Sequence, residues 1–308
     1  MYLARTDRAF PFSRVAKGSV VTIGAFDGLH LGHQRLLDRV LEEAAARDLP
    51  AVVMSFEPMP KEYFARKSPP ARLTRFREKY DAFNRMGIDI FYCPNFNDTM
   101  RNITADAFIR KLLVHALNVR HLVIGDDFVF ARHREGNLAQ LRRASRALDF
   151  SVEKVASVIV EGERVSSTAI RDALREGEMQ RAEQLLGMRY RMSGKVIRRN
   201  HWQGEEPVVF VNLQRRRSAV QGIFAVKIGA IEEQSIDAVA CIGRCHMNGV
   251  DRAYFALHIP SFERGLGGKQ VDVDFIARLS NQESFESVDK LVDQLLGYTA
   301  EARTVLGE

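Results

Sequence analysis

Short, wholly apolar runs alternate with helical repeats over the first 186 residues. Residues 20–26 read as a strand that is apolar on both faces. Leu36, Leu37, Val40, Leu41 and Ala44 then recur at helical spacing. Residues 51–56, 88–93 and 121–125 give further strands, and residues 75–86 and 105–117 give helices. Strands buried on both faces and separated by helices predict a parallel sheet covered on both sides. Such sheets take ligands beyond the carboxyl ends of their strands. After Gly187 the pattern changes. Residues 191–198, 207–213, 222–228, 237–242, 254–259 and 271–276 read as strands with no long helices between them, which predicts a small antiparallel barrel. A helix over about 288–303 closes the chain. The predicted fold class is therefore α/β, with a doubly wound parallel-sheet domain over residues 1–186 and a small antiparallel β-barrel with a terminal helix over residues 187–308.

Composition narrows the class. The chain has 308 residues, 46% hydrophobic and 27% charged, an ordinary globular mixture. No run approaches the roughly 18 apolar residues of a membrane span, and residues 1–17 lack a signal-peptide run. The expectation is a soluble, cytoplasmic protein with no membrane partner. Cys93, Cys241 and Cys245 make no disulfide framework, which fits a reducing compartment. The net charge of +6 speaks only to non-specific attraction. The arginines are scattered apart from the block at 215–217, so nucleic acid is not the expected partner. The sequence gives no oligomeric state.

The strongest chemical signal is Gly24-Ala25-Phe26-Asp27-Gly28-Leu29-His30-Leu31-Gly32-His33, placed after a strand and before a helix. A helix start presents unpaired N–H groups and a partial positive charge, so it attracts phosphate. Gly24, Gly28 and Gly32 permit a tight turn and close backbone approach. His30 and His33, three apart, can face one ligand from the first helical turn. In nucleotidyl transfer negative charge shifts onto the bridging oxygen and the leaving pyrophosphate, and fixed donors stabilise that shift without a protein nucleophile. An ordinary glycine-rich turn with two exposed histidines is the bland alternative. A zinc site lacks ligands beyond Asp27. A second element is Val165-Ser166-Ser167-Thr168-Ala169-Ile170-Arg171. Its serines suit a helix cap, and Arg171 on the first turn suits leaving phosphates.

The first motif, with its His-x-Gly-His core, resembles the nucleotidyltransferase superfamily, and the second resembles that superfamily's Ser-Ser-Thr-x-Ile-Arg signature. Ser55-Phe56-Glu57-Pro58, Arg72-Leu73-Thr74 with Arg77-Glu78-Lys79, and Gly125–Phe130 with Gly136-Asn137 resemble segments of prokaryotic FAD synthetases, in the family's order. The whole chain resembles the bifunctional riboflavin kinase/FMN adenylyltransferase family. That resemblance implies a nucleotidyltransferase domain followed by a riboflavin-kinase-type barrel. It implies transfer of AMP from ATP to FMN, giving FAD and pyrophosphate, with Mg²⁺ accompanying ATP. His30, His33 and Arg171 are the implied catalytic residues. Gly24, Phe26, Asp27, Gly28, Gly32, Ser167 and Thr168 are the implied ATP site. Phe56, Pro58, Asp127, Phe128 and Asn137 are the implied flavin or nucleotide pocket. No residue set reads as a dedicated metal site, so the metal is expected to be held largely by substrate.

The second half departs from the family's pattern. Laid without gaps from Gly194, Pro207–Asn212 stands where the family has Gly-Phe-Pro-Thr-Ala-Asn. Asn212 matches, but Phe210 replaces the threonine whose hydroxyl helps hold metal and phosphate. Arg199-Asn200-His201-Trp202 replaces a glycine-rich turn, with Trp202 read as a plug. On a later strand Ala256 stands where the family's Glu activates riboflavin, while His258 remains. Alanine cannot accept a proton. These changes lead to the expectation that the kinase activity is lost and the chain is a monofunctional FAD synthetase. The alternative is a bifunctional enzyme with both activities retained. A flavin-binding or regulatory protein without turnover is a further rival, and the intact histidine pair and Arg171 argue against it. Cys241, Cys245, His246 and His258 match no standard zinc spacing.

Overall fold

A computed structural model describes residues 1–6, 9–197, 208–213, 217–229, 235–247, 250–260 and 266–307. Two compact units emerge, Met1–Pro70 with Thr74–Val165, and Ala71–Leu73 with Ser166–Glu308. Among the described residues no helix is long and apolar enough to cross a membrane.

The first unit is built on six strands: β1 (Tyr2–Ala4), β2 (Ser19–Ile23), β3 (Ala51–Met54), β4 (Ile90–Tyr92), β5 (Val119–Gly125) and β6 (Ser151–Val155). They lie in the order β1-β4-β3-β2-β5-β6 and every neighbouring pair is parallel. The chain winds outward from β2 through β3 to β4, then returns to the other side of β2 with β5 and β6. The strand order therefore reverses between β2 and β5, where such sheets open a ligand crevice at their carboxyl ends. Side-chain alternation explains the double winding. Val20, Val53, Phe91 and Val123 pack with Leu36, Leu37, Val40 and Phe83 on one face. Val21, Val52, Tyr92 and Leu122 pack with Leu112, Leu113 and Leu141 on the other.

Several elements were not read from the sequence. β1 has only three residues, and β6 is SVEKV, too polar to stand out. The helix expected over 105–117 starts regularly at Ala105–Ala107 and then widens over Phe108–Ala116, where Leu117 N–H reaches back to Leu112 O at 2.9 Å. A short hairpin, β7 (Ile159–Val160) with β8 (Glu163–Arg164), follows the sheet.

The second unit opens with the helices Ser167–Glu176 and Met179–Leu186. Arg278 donates to the carbonyls of Arg175, at 2.8 Å, and Glu176, tying the end of the first helix to a barrel strand. The barrel comprises β9 (Tyr190–Val196), β10 (Val208–Asn212), β11 (Gly222–Gly229), β12 (Ile236–Met247), β13 (Val250–His258) and β14 (Gln270–Ser280). Their order is β11-β14-β9-β10-β13-β12, closed by pairing of β11 with β12, and every pair is antiparallel. A short β15 (Ser284–Phe285) adds to β12 in parallel. In place of one terminal helix there are two, Val288–Gly297 and Thr299–Leu306, separated at Tyr298. The predicted fold class, a doubly wound parallel-sheet domain followed by an antiparallel barrel, is the one observed.

Candidate active site at the carboxyl end of the parallel sheet

β2 is buried along its whole length, so the chain leaves it at Ile23 directly above the core. The loop that follows turns sharply, with Phe26, Gly28 and Leu29 all at positive φ (48°, 93° and 47°). For the two non-glycine residues this conformation costs about 1–2 kcal/mol each. Burial offsets that cost. Phe26 has no exposed surface and meets Phe83 edge-on at 5.5 Å, a burial that contributes roughly 1.5–3 kcal/mol. A Cβ on Gly24 would sit 3.0 Å from the Phe26 ring, which would have to give by a few tenths of an ångström.

The segment Thr74–Lys79 clasps the loop by hydrogen bonds. Thr74 N–H donates to the Asp27 carboxylate at 2.9 Å, and Gly28 N–H donates to Thr74 Oγ1 at 2.7 Å. Lys79 Nζ donates to Ala25 O at 2.8 Å. Asp27 is only 2% exposed and Lys79 only 1%. The strained turn is thus held at Ala25, Phe26, Asp27 and Gly28, as expected where strain persists at a working site.

The 17-residue helix Leu31–Arg47 begins at the end of this loop. His30 caps it, its Nδ1 accepting from His33 N–H at 3.4 Å. The imidazoles of His30 and His33 stack with centroids 3.7 Å apart and planes 17° apart. Gly32 accommodates that stack, since a Cβ there would lie 3.3 Å from His30 Cε1 and Nδ1. Burial, then the neighbouring His30 and then Lys79, hold His33 well below the usual histidine range, so it is neutral at pH 7. Its Nδ1 is buried without a hydrogen-bond partner. No acidic side chain occupies the first turn, so nothing there cancels the positive end of the helix dipole. The arrangement is a helix start with two fixed imidazoles beside it.

The other expected pocket residues of this unit follow β3 and β5, at the same end of the parallel sheet. Phe56 meets Phe96 edge-on at 5.6 Å, and Pro58 follows a cis peptide bond. Phe128 stacks on Phe130 at 5.6 Å. Asp127 is 75% exposed and pairs with Arg164 at 3.0 Å. Its neighbour Asp126 is pulled down to about 2 by Lys154 and by the Ser157 N–H. Asn137 caps the helix Leu138–Ala147, exchanging hydrogen bonds with Gln140. Its side-chain oxygen therefore has a structural use.

Ser167, Thr168 and Arg171 lie in the second unit. Ser166 is the residue that caps their helix, accepting from Ala169 N–H at 3.1 Å. Arg171 Nε donates to Ala71 O at 2.6 Å and Nη1 to Ser167 O at 2.8 Å, which holds the guanidinium at the helix start. In the barrel, Phe210 and Ala256 face each other across β10 and β13. Both are buried in an apolar cluster with Ile223, Cys241 and Leu291. Asn212 is exposed at the end of β10, opposite Lys195. His258 is buried opposite Val208. Cys241 is buried beside the Tyr254 hydroxyl, and burial pushes its thiol up to about 12. Residues 199–202, with the expected Trp202 plug, and the side chains of Cys245 and His246 lie outside the described residues.

Among the described residues one cluster has the composition of a metal site, Glu43, His121 and Glu153. Its carboxylates are engaged by arginines, Arg39 pairing with Glu43 and with Glu153 and Arg47 pairing with Glu43. Thr74 and Lys79 lie in family-like segments whose pattern alone assigns them no role. A signal was present for Lys79, which sits on the apolar stripe of its helix between Phe76 and Phe83.

The comparisons with known proteins cover both units. A family model for FAD synthetase matches residues 13–169, and one for riboflavin kinase matches residues 186–306. A bifunctional riboflavin kinase/FMN adenylyltransferase from Haemophilus influenzae is 38% identical over 287 residues, covering 92% of both chains. The protein of that name from Escherichia coli strain K12 is 37% identical over 299 residues, covering 94% of each. One from Pseudomonas fluorescens is 36% identical over 292 residues, covering 94% of this chain and 93% of that one. A solved structure titled as a macrolide-efflux protein from Streptococcus pneumoniae superposes with a TM-score of 0.78 at 27% identity, covering 98% of each chain. These relatives are named as bifunctional and match across both halves, so the expected loss of the kinase gains no support from them. They favour the alternative of two activities. The chain belongs to the bifunctional riboflavin kinase/FMN adenylyltransferase family.

Proposed function

We propose that the first unit makes FAD, moving AMP from ATP to FMN. The FMN phosphate oxygen attacks the α-phosphorus in line, one P–O bond forms, the α–β bridging bond breaks, and pyrophosphate leaves with the electron pair. The observation that carries this reading is the stacked His30/His33 pair at the start of a helix on the switch point of the sheet. Backbone N–H groups of the helix start bind phosphate. The His30 and His33 imidazoles supply donors for charge growing on the departing pyrophosphate. The family resemblance gives Arg171 the part of a cation for the leaving phosphates. Phe56, Phe128 and Asp127 line the pocket of the flavin or the base. Mg²⁺ would arrive with ATP and neutralise phosphate charge. Asp27 accepts from Thr74 N–H, and the phosphate oxygens of ATP would supply most of the metal's ligands.

For the second unit the relatives support riboflavin phosphorylation, which makes the whole chain bifunctional. A single observation favours the opposite reading. Phe210 and Ala256 place two apolar side chains face to face in a buried cluster, with no oxygen to bind metal or accept a proton. The protein acts in the cytoplasm on small molecules. Incubation with ATP and Mg²⁺, with riboflavin or FMN supplied separately, followed by chromatography, tests all of this. FAD from both flavins supports two activities. FAD from FMN alone supports one, and no FAD from either refutes the reading.

A further inference from the structure

The Phe76–Met86 helix packs its apolar face against the parallel sheet through Phe83, which has no exposed surface. Lys79 shares that face and is itself 1% exposed. Burying an ammonium costs several kcal/mol unless its hydrogen bonds are met, and an apolar residue would fill the position without that cost. The ammonium reaches Ala25 O at 2.8 Å, at the first turn of the loop that carries the histidine pair. Three residues on, the same loop is clasped by Thr74 from the start of the same helix. The lysine therefore fixes the near end of a strained turn whose far end is His30.

We propose that Lys79 is a positioning residue for adenylyl transfer, holding the Ala25–His30 loop from within the core so that the His30/His33 stack stays aimed at the leaving pyrophosphate. This rests on the FAD-forming reading above. Lys79 does not touch substrate in this account; it acts through the Ala25 carbonyl and through its charge. That charge joins burial and His30 in keeping His33 neutral. The groups around His33 are the stacked His30 ring from the loop, Phe26 with ring centroids 5.2 Å apart, and Lys79 from the Phe76–Met86 helix. A neutral His33 is a single N–H donor. Removal of the nearby cation raises its proton affinity, so the acid limb of the kcat/KM profile, which reports the free enzyme, moves to higher pH.

The test is the rate of FAD formation from FMN and ATP against pH, with thermal melting, for wild type, Lys79→Met and Lys79→Arg. The expected result is a Lys79→Met protein that folds but melts no higher than wild type, since the Ala25 carbonyl loses its donor while the cost of a buried charge is removed. Its kcat should fall about 10- to 100-fold, in line with the cost of displacing catalytic groups, and its acid limb should move up. Lys79→Arg keeps the cation and should keep the acid limb of the wild type. If Lys79→Met does not fold, Lys79→Gln, which removes the charge but keeps a donor, is read by the same two criteria. A charge-free variant with kcat within twofold of wild type and an unmoved acid limb overturns the proposal. A wild type that makes no FAD overturns the functional reading instead.

Discussion

Replacing Gly32 by alanine separates folding from catalysis. Gly32 is the second residue of the Leu31–Arg47 helix, and its φ is not in the left-handed region, so alanine is compatible with the backbone there. Alanine reduces the entropy of the unfolded chain and favours helix, a gain of about 0.4–1 kcal/mol. For a unit of this size that corresponds to a melting shift of roughly 1–4 °C upward. The new Cβ, however, would lie 3.3 Å from His30 Cε1 and Nδ1, inside the ordinary contact range that starts at 3.4 Å. The His30 ring must yield by a few tenths of an ångström. A misplacement of about 1 Å costs on the order of 100-fold in rate, so a third of that distance gives a loss of about 3- to 10-fold. The expected outcome for Gly32→Ala is a lower kcat for FAD formation in a protein that melts at or above the wild-type temperature. Steady-state assay by chromatography, beside differential scanning calorimetry, reads both. An unchanged kcat would refute the role assigned to the His30 stack. A rate loss that tracks a lower melting temperature would do so equally.

Two further outcomes follow from the loop and its clasp. Thr74→Val leaves the Gly28 N–H without its acceptor at 2.7 Å, which costs about 1–3 kcal/mol; a lower melting temperature together with a raised KM for ATP is expected, and wild-type values of both would contradict it. His33 carries the opposite sign to an acid-stabilising group. Its folded proton affinity is depressed, chiefly by burial, from an ordinary value of 6.5. Below that pH the unfolded chain binds more protons than the folded one, so stability falls as pH drops. His33→Gln should flatten the acid-side slope of unfolding free energy against pH, measured by urea titration between about pH 6.5 and 5, where unfolded histidine takes up its proton. Identical slopes in the two proteins would show that His33 is not depressed.

Much of the fold was legible because its signals are strong and local. β2, β3 and the helix that starts at Leu31 have unbroken apolar runs or clean helical spacing, and all three flank the site. β1 and β6 escaped because an edge strand needs few apolar residues, and SVEKV carries two charges. The split of the terminal helix at Tyr298 carried no proline or cap signal strong enough to read. At the site, the histidine pair was legible from spacing at a helix start. The stack, the strained φ values at Phe26 and Leu29, and the clasp by Thr74 and Lys79 were not. They depend on contacts across 46 to 54 residues of sequence, which no local pattern encodes. Asn137 is an instructive case: its place in a family-like segment suggested the pocket, while the structure uses its side chain as a helix cap. In the barrel, the identities of Phe210 and Ala256 were plain in the sequence, but their direct opposition across two strands was not.

Adenylyl transfer in this protein depends on the two imidazoles at the mouth of the Leu31–Arg47 helix. Single-turnover FAD formation, with saturating ATP and FMN, by His30→Ala and by His33→Ala tests it most directly. Each variant should still bind ATP but form FAD about 10²- to 10³-fold more slowly, the usual cost of losing one transition-state donor. Wild-type rates in either variant would contradict it.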